Sequence, residues 1–126
     1  MKRSPIKSRR QQDPVGVDLW ESVWRRDCAV ADGCVARYLG APGACKNVWG
    51  DPARDSMDRP LRSAHQVDHV HEDGSAMALR AKSDMQHLVT LCASHHDSWA
   101  RGHRTEERRY LARFYPDLYA GYIERN

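Results

Sequence analysis

Residues 64–70, AHQVDHV, and 87–102, HLVTLCASHHDSWARG, decide how this chain folds. The first segment alternates roughly between apolar and polar side chains, which suits a strand. The second opens with HLVTLC, which reads as another strand. It passes directly into ASHHDSWARG, a short helix that Gly102 ends. Residues 71–86 between them form a polar loop carrying Asp73, Gly74, Arg80 and Lys82.

On the N-terminal side, residues 28–63 hold Gly33, Gly40, Pro42, Gly43, Gly50, Pro52 and Pro60, so the stretch reads as loops held by something other than a core. Before it, DLWESVWRRD (18–27) predicts a short helix. Leu19, Trp20, Val23 and Trp24 share one face at helical spacing, and Asp18 with Glu21 is placed to form a capping box. That apolar stripe is core rather than a cofactor site. On the C-terminal side, TEERRYLARFY (105–115) predicts a further helix with Thr105 as its cap and Pro116 beyond it. Residues 117–125 suit a last turn or short helix. The cluster Arg101, Arg104, Arg108, Arg109 and Arg113, broken by Glu106 and Glu107, is expected to be a solvated helix face with internal ion pairs.

The whole chain has 126 residues, enough for one domain, and Leu, Ile, Val and Phe number only 20. A core so poor in large aliphatic side chains needs a staple. Four Cys and seven His suggest one. No apolar run is long enough to span a membrane, and no apolar stretch follows the basic N-terminus as in a secretory signal. A cytoplasmic location is therefore expected, with the four Cys as reduced thiols or metal ligands rather than disulfides. Lys2, Arg3, Lys7, Arg9 and Arg10 carry most of the basic excess. Without them, 15 basic residues face 17 acidic ones. Residues 1–17 therefore read as a disordered basic tail, either a loose phosphate-binding arm or a solubilising end, and 18–126 as the folded domain.

Cys92-Ala-Ser-His95 places two soft ligands at the join of a strand and a helix, where both can point at one ion. A closed tetrahedral zinc site needs two more ligands. The upstream candidates are Cys28, Cys34 and Cys45. Cys34 and Cys45 flank the turn-forming Gly40-Ala-Pro-Gly43 and are preferred, with Cys28 a buried free thiol and Cys28/Cys34 the alternative pair. A second constellation is Asp68-His69 at the end of the first strand and His96 in the short helix. A carboxylate and an imidazole from two elements can hold one cation and leave water positions open, and an adjacent His can act as base on a water nearby.

Taken in order, Asp68-His69-Val70, His87-Leu-Val-Thr-Leu-Cys92, His95-His96 and then a basic helix resemble the HNH endonuclease family, the ββα-metal fold, and most of all its small phage-type members. The likeness covers about residues 26–115, with 19 residues from Asp68 to His87 and nine more to His96. It implies an α+β fold with a zinc-stapled ββα core over about 64–102. It also implies that His69 is the general base, that Asp68 and His96 hold the catalytic ion, and that the zinc pairs are Cys34/Cys45 and Cys92/His95. His87 stands where the family usually has Asn. It is either a donor that braces the loop or a third ligand.

The resemblance further implies hydrolysis of DNA phosphodiester bonds with Mg²⁺ or Mn²⁺, leaving 5′-phosphate and 3′-hydroxyl ends. An Asp/His site could also take Ni²⁺ or Zn²⁺. Double-stranded DNA is the expected partner of a monomer, and kinship with phage proteins suggests work beside terminase subunits in a host cytoplasm. Arg80, Lys82 and the five tail cations are the phosphate contacts expected from charge. Two rivals share part of this pattern: a zinc-stabilised DNA-binding module with no need of His69, and an RNase or toxin-like effector.

Overall fold

The structure is a computed structural model that describes residues 17–70 and 85–118. Helix α1 (Val17–Ala31) leads into the short α2 (Val35–Tyr38). A loop region follows, then strand β1 (His65–His69), strand β2 (Leu88–Cys92), helix α3 (Ala93–Ser98) and helix α4 (Arg104–Leu111). The class is α+β: a two-stranded antiparallel sheet with helices around it. The register pairs His65 with Cys92, Val67 with Thr90 and His69 with Leu88. It therefore places the Asp68-His69 end of β1 beside the start of β2, and the cysteine end of β2 beside the start of β1. The two constellations of the sequence thus lie at opposite ends of one hairpin.

All five residues of β2 are buried, because α1 packs across the strand and α2 and α3 flank it. Val35, Ala36, Ala53, Val70, Val89, Leu91, Trp99, Tyr110 and Leu111 form much of the core, a mixture of aliphatic side chains and two large aromatic ones. Among the described residues, no helix is long and apolar enough to cross a membrane.

Helix α1 is longer than the predicted 18–27, since Val30 and Ala31 also reach the core. Its end is set by Asp32 and Gly33, both at positive φ. Gly33 is required on a second ground: a Cβ there would lie 2.8 Å from Pro60 Cβ. Asp18 sits within the helix rather than capping it, and Glu21 pairs instead with Arg62 and Arg25. Thr105 likewise lies inside α4, whose first-turn neighbour His103 makes no side-chain cap. The helix expected over 93–102 is two pieces. After Ser98 the chain tightens into a 3₁₀ turn over Ala100–His103, with His103 stacked on Trp99 at 4.2 Å and its Nδ1 2.7 Å from the Trp99 carbonyl.

Residues 39–61 have no helix or strand, yet they are ordered by local hydrogen bonds. Asn47 Oδ1 accepts from the Trp49 and Asp51 amides at 2.9 Å. Asp55 Oδ1 does the same for Met57 and Arg59, also at 2.9 Å. Each side chain closes a turn by standing in for a backbone carbonyl. Isolated bridges Lys46–Pro52 and Arg54–Pro60 complete two small loops one after the other. The first of these loops carries Cys45 at its base.

The basic cluster on and around α4 is only in part the solvated face that composition suggested. Arg101, Arg109 and Arg113 are exposed, but Arg104 is largely covered, and Arg108 and Glu107 are buried. The two covered arginines are tied to the end of β1 and the residue after it. Arg104 donates to the Asp68 carboxylate, and Arg108 Nη1 donates to the Val70 carbonyl at 3.0 Å.

Candidate functional site

Cys34, Cys45, Cys92 and His95 come together, with their ligand atoms within 4.8 Å of one another. Cys34 precedes α2, Cys45 comes from the first loop, and Cys92 and His95 straddle the β2–α3 junction. His95 Nδ1 lies 3.6 Å from Cys34 Sγ, 3.8 Å from Cys45 Sγ and 3.2 Å from Cys92 Sγ. Sulfur and nitrogen on one tetrahedral zinc, at bond lengths near 2.3 and 2.0 Å, would be about 3.5 Å apart. The donor set therefore fits a metal ion such as zinc.

The second ring nitrogen settles the tautomer. His95 Nε2 is 2.9 Å from the Pro42 carbonyl, which can only accept, so Nε2 carries the hydrogen and the Nδ1 lone pair faces the sulfurs. Backbone amides support the sulfurs too: Cys92 N–H donates to Cys34 Sγ at 3.3 Å and His95 N–H to Cys92 Sγ at 3.4 Å.

The close packing of the three sulfurs pulls their acidities apart. Hydrogen bonds from the Cys34 and Cys45 thiols push the Cys92 thiol far down. The same contacts and burial push Cys45 far up. For Cys34, the bond to Cys45 lowers the value, but the bond to Cys92 and burial outweigh it and raise it to about 11. One negative charge is tolerable in this buried site and three are not. A divalent ion reverses that balance by replacing the remaining thiol protons. Cys28, expected as a buried thiol, is instead half-buried and outside the cluster, since it lies on the flank of α1.

The other end of the hairpin forms an open cleft of about 400 Å³ lined by Asp68, His69, His96, Asp97, Arg101 and Arg104, with Ala100 at its wall. Asp68 is buried. Its Oδ1 lies 3.5 Å from His96 Nε2, which is longer than a hydrogen bond. Two cis ligands on one octahedral ion at 2.0–2.1 Å are separated by about 3 Å. The two atoms thus stand close to a shared-cation span, and they fit such an ion with a small contraction. His69 follows Asp68 on the strand and turns the other way along the pleat, yet still borders the cleft. His96 lies one position after the cluster ligand His95, so the single turn of α3 serves both ends of the site.

His87 is buried in the turn before β2, and its carbonyl accepts from Val70 N–H at 3.1 Å. It does not line the cleft. Among the described residues, the Cys₃His cluster is the one group of three or more possible ligands close enough to share an ion. His87 is not part of that cluster. Lys2, Arg3, Lys7, Arg9, Arg10, Arg80 and Lys82 lie outside the described residues.

Comparison with protein-family models, curated proteins and solved structures finds no match.

Two features of the site were not foreseen from sequence. The first is the contact of Arg104 with Asp68, together with Glu107, whose Oε1 accepts from Arg104 Nη1 at 3.1 Å. Burial, with the Asp68 charge close by, pushes the Glu107 carboxyl well above the usual range. The second is Asp27, buried against the hairpin. It accepts from Thr90 N–H at 2.8 Å and from the Tyr110 hydroxyl at 2.7 Å, and pairs with Arg26 at 2.9 Å. A sign of it was present: Asp27 continues the Trp20–Val23–Trp24 stripe at helical spacing, and an acid on an apolar face needs partners.

Proposed function

We propose that this chain is a metal-dependent endonuclease of the HNH, ββα-metal type, hydrolysing phosphodiester bonds of double-stranded DNA. One observation carries the reading: Asp68 Oδ1 and His96 Nε2 stand 3.5 Å apart on the wall of a cleft that His69 also borders. The frame supplies these groups as the sequence order of the resemblance requires, with Asp-His at a strand end and the last His in the helix after the second strand.

His69 takes a proton from a water held in the cleft, and that water attacks phosphorus in line. Asp68 and His96 would hold the divalent ion, Mg²⁺ or Mn²⁺. When bound, the ion neutralises charge developing on the phosphate and on the departing 3′ oxygen. The open cleft admits a phosphodiester from the surface. The Cys34, Cys45, Cys92 and His95 cluster, once loaded with zinc, would hold the 39–61 loops against the start of α3 and so keep His96 in place. Arg101 on the cleft rim is positioned to meet a phosphate oxygen.

The test is nicking of supercoiled plasmid in Mg²⁺ or Mn²⁺ by the wild type and by His69→Ala. Loss of a general base costs roughly 10²–10⁴ in rate. The variant should keep its fold and zinc, because His69 is outside the cluster. Near wild-type cutting by His69→Ala removes the assignment of the base. Duplex binding without cutting by the wild type, in either metal, favours the binding-module reading instead.

A further inference from the structure

Helix α4 grips the end of β1 on both sides of His69. Arg104 bonds to Asp68, the residue before, and Arg108 bonds to the carbonyl of Val70, the residue after. The two arginines are one helical turn apart, so a single helix face makes both contacts. Arg104 is the more informative of the two. Its Nη1 is shared between Asp68 Oδ2 and Glu107 Oε1, while Asp68 Oδ1 points to His96. Glu107 is completely buried, and its Oε2 has no hydrogen-bond partner. A fully buried acid kept beside a partly buried arginine, with one oxygen unsatisfied, is costly for stability alone.

We propose that Arg104 is a positioning residue: held by Glu107, it ties down one Asp68 oxygen and thereby presents the other toward His96 as a single-oxygen ligand for the cation. The inference rests on the reading of Asp68 and His96 as cation ligands. Arg104 and the ion use different oxygens of the same carboxylate, so the arginine orients Asp68 without occupying the place of the ion. Without Arg104, the Asp68 carboxylate keeps only its side-chain contact with Glu107, and its preset span to His96 loosens. Groups that orient a metal ligand in this way are worth about 10- to 100-fold in metal affinity.

The sign of the effect separates this role from simple electrostatics. Removing a positive charge next to a cation site should tighten cation binding by Coulomb's law, whereas loss of orientation should weaken it. The experiment is Mn²⁺ titration of the full-length, zinc-loaded protein, followed by electron paramagnetic resonance of free Mn²⁺. It compares wild type, Arg104→Ala, Arg104→Lys and Asp68→Asn, with zinc content and thermal unfolding measured in parallel. Asp68→Asn should abolish the site. Arg104→Ala should weaken Mn²⁺ binding about 10- to 100-fold with zinc retained. Arg104→Lys, which keeps the charge but not the planar fork, should fall between them.

Unchanged or tighter Mn²⁺ binding in the folded Arg104 variants overturns the proposal. If Arg104→Ala does not fold, Arg104→Lys decides by the same criterion. If Asp68→Asn binds Mn²⁺ as the wild type does, it is the assignment of the cation site that fails, and with it the premise for Arg104.

Discussion

Asp27 shows how one acid can hold three elements. It lies on α1, takes an amide hydrogen from Thr90 on β2 and accepts from Tyr110 on α4. A buried carboxylate with this many donors is satisfied as an anion, and removing one donor leaves it short. Tyr110→Phe should therefore cost about 1–3 kcal/mol in urea unfolding. A second readout comes from pH. Burial, then the nearby Asp27 charge, raises the Tyr110 phenol above its ordinary value of 10.0. Above that pH the unfolded chain loses the phenolic proton while the folded chain keeps it, so stability falls as pH rises. Tyr110→Phe should flatten that alkaline decline, and an equally steep decline in the variant would remove Tyr110 as its source.

The elements that matter most are the β2–α3 junction and the loops before β1. The junction supplies Cys92 and His95 to one site and His96 to the other. The loops supply Cys45, with no strand or helix to hold them beyond side-chain-closed turns. Metal removal should therefore act first on this part of the molecule. Treatment with a strong chelator should lower the thermal midpoint and increase amide exchange over residues 39–61, with the α1–β2 packing more resistant. Protein purified without added metal should contain about one zinc per chain, as expected of a closed four-ligand site. Cys92→Ser should abolish that content, because its sulfur anchors the cluster. Cys28→Ser should retain it and stay within about 0.5 kcal/mol of wild-type stability, as for substitutions away from special sites. Zinc absent from Cys28→Ser but present in Cys45→Ser would reverse the choice of the upstream pair.

At the scale of the whole molecule, charge is distributed unevenly along the chain. Five of the 20 basic residues fall within the first ten, while the proposed catalytic groups lie in the hairpin and α3. If the N-terminal cations bind phosphates, deleting residues 1–12 should flatten the slope of log affinity against log salt by about 0.9 for each phosphate they neutralise. The single-turnover cleavage rate at saturating DNA should stay near wild type, because uniform binding does not speed the chemical step. An unchanged slope would show that these residues do not bind DNA. A collapsed cleavage rate would place them at the scissile phosphate.

The local features were legible where short-range rules suffice. The apolar run before Cys92, the Cys-x-x-His spacing and the glycine-rich middle foretold a second strand, a ligand pair at its end and a loop region in need of a staple. Spacing alone favours Cys34 and Cys45 over Cys28 only weakly; the structure brings Cys34 and Cys45 to the cluster. Helix ends were less legible, since α1 runs to Ala31 for core contacts made with residues far along the chain. The α4 charges escape a sequence reading for the same reason. Arg104 and Asp68 are 36 residues apart, and a helix rich in Arg and Glu has the same composition whether its charges meet water or a buried partner. Sequence determines which donors, acceptors and ligands the chain possesses and which stand a turn or a strand apart. Only the tertiary structure decides which charges are buried, because burial depends on surfaces brought together across the whole chain, and a buried charge survives only where such a partner awaits it.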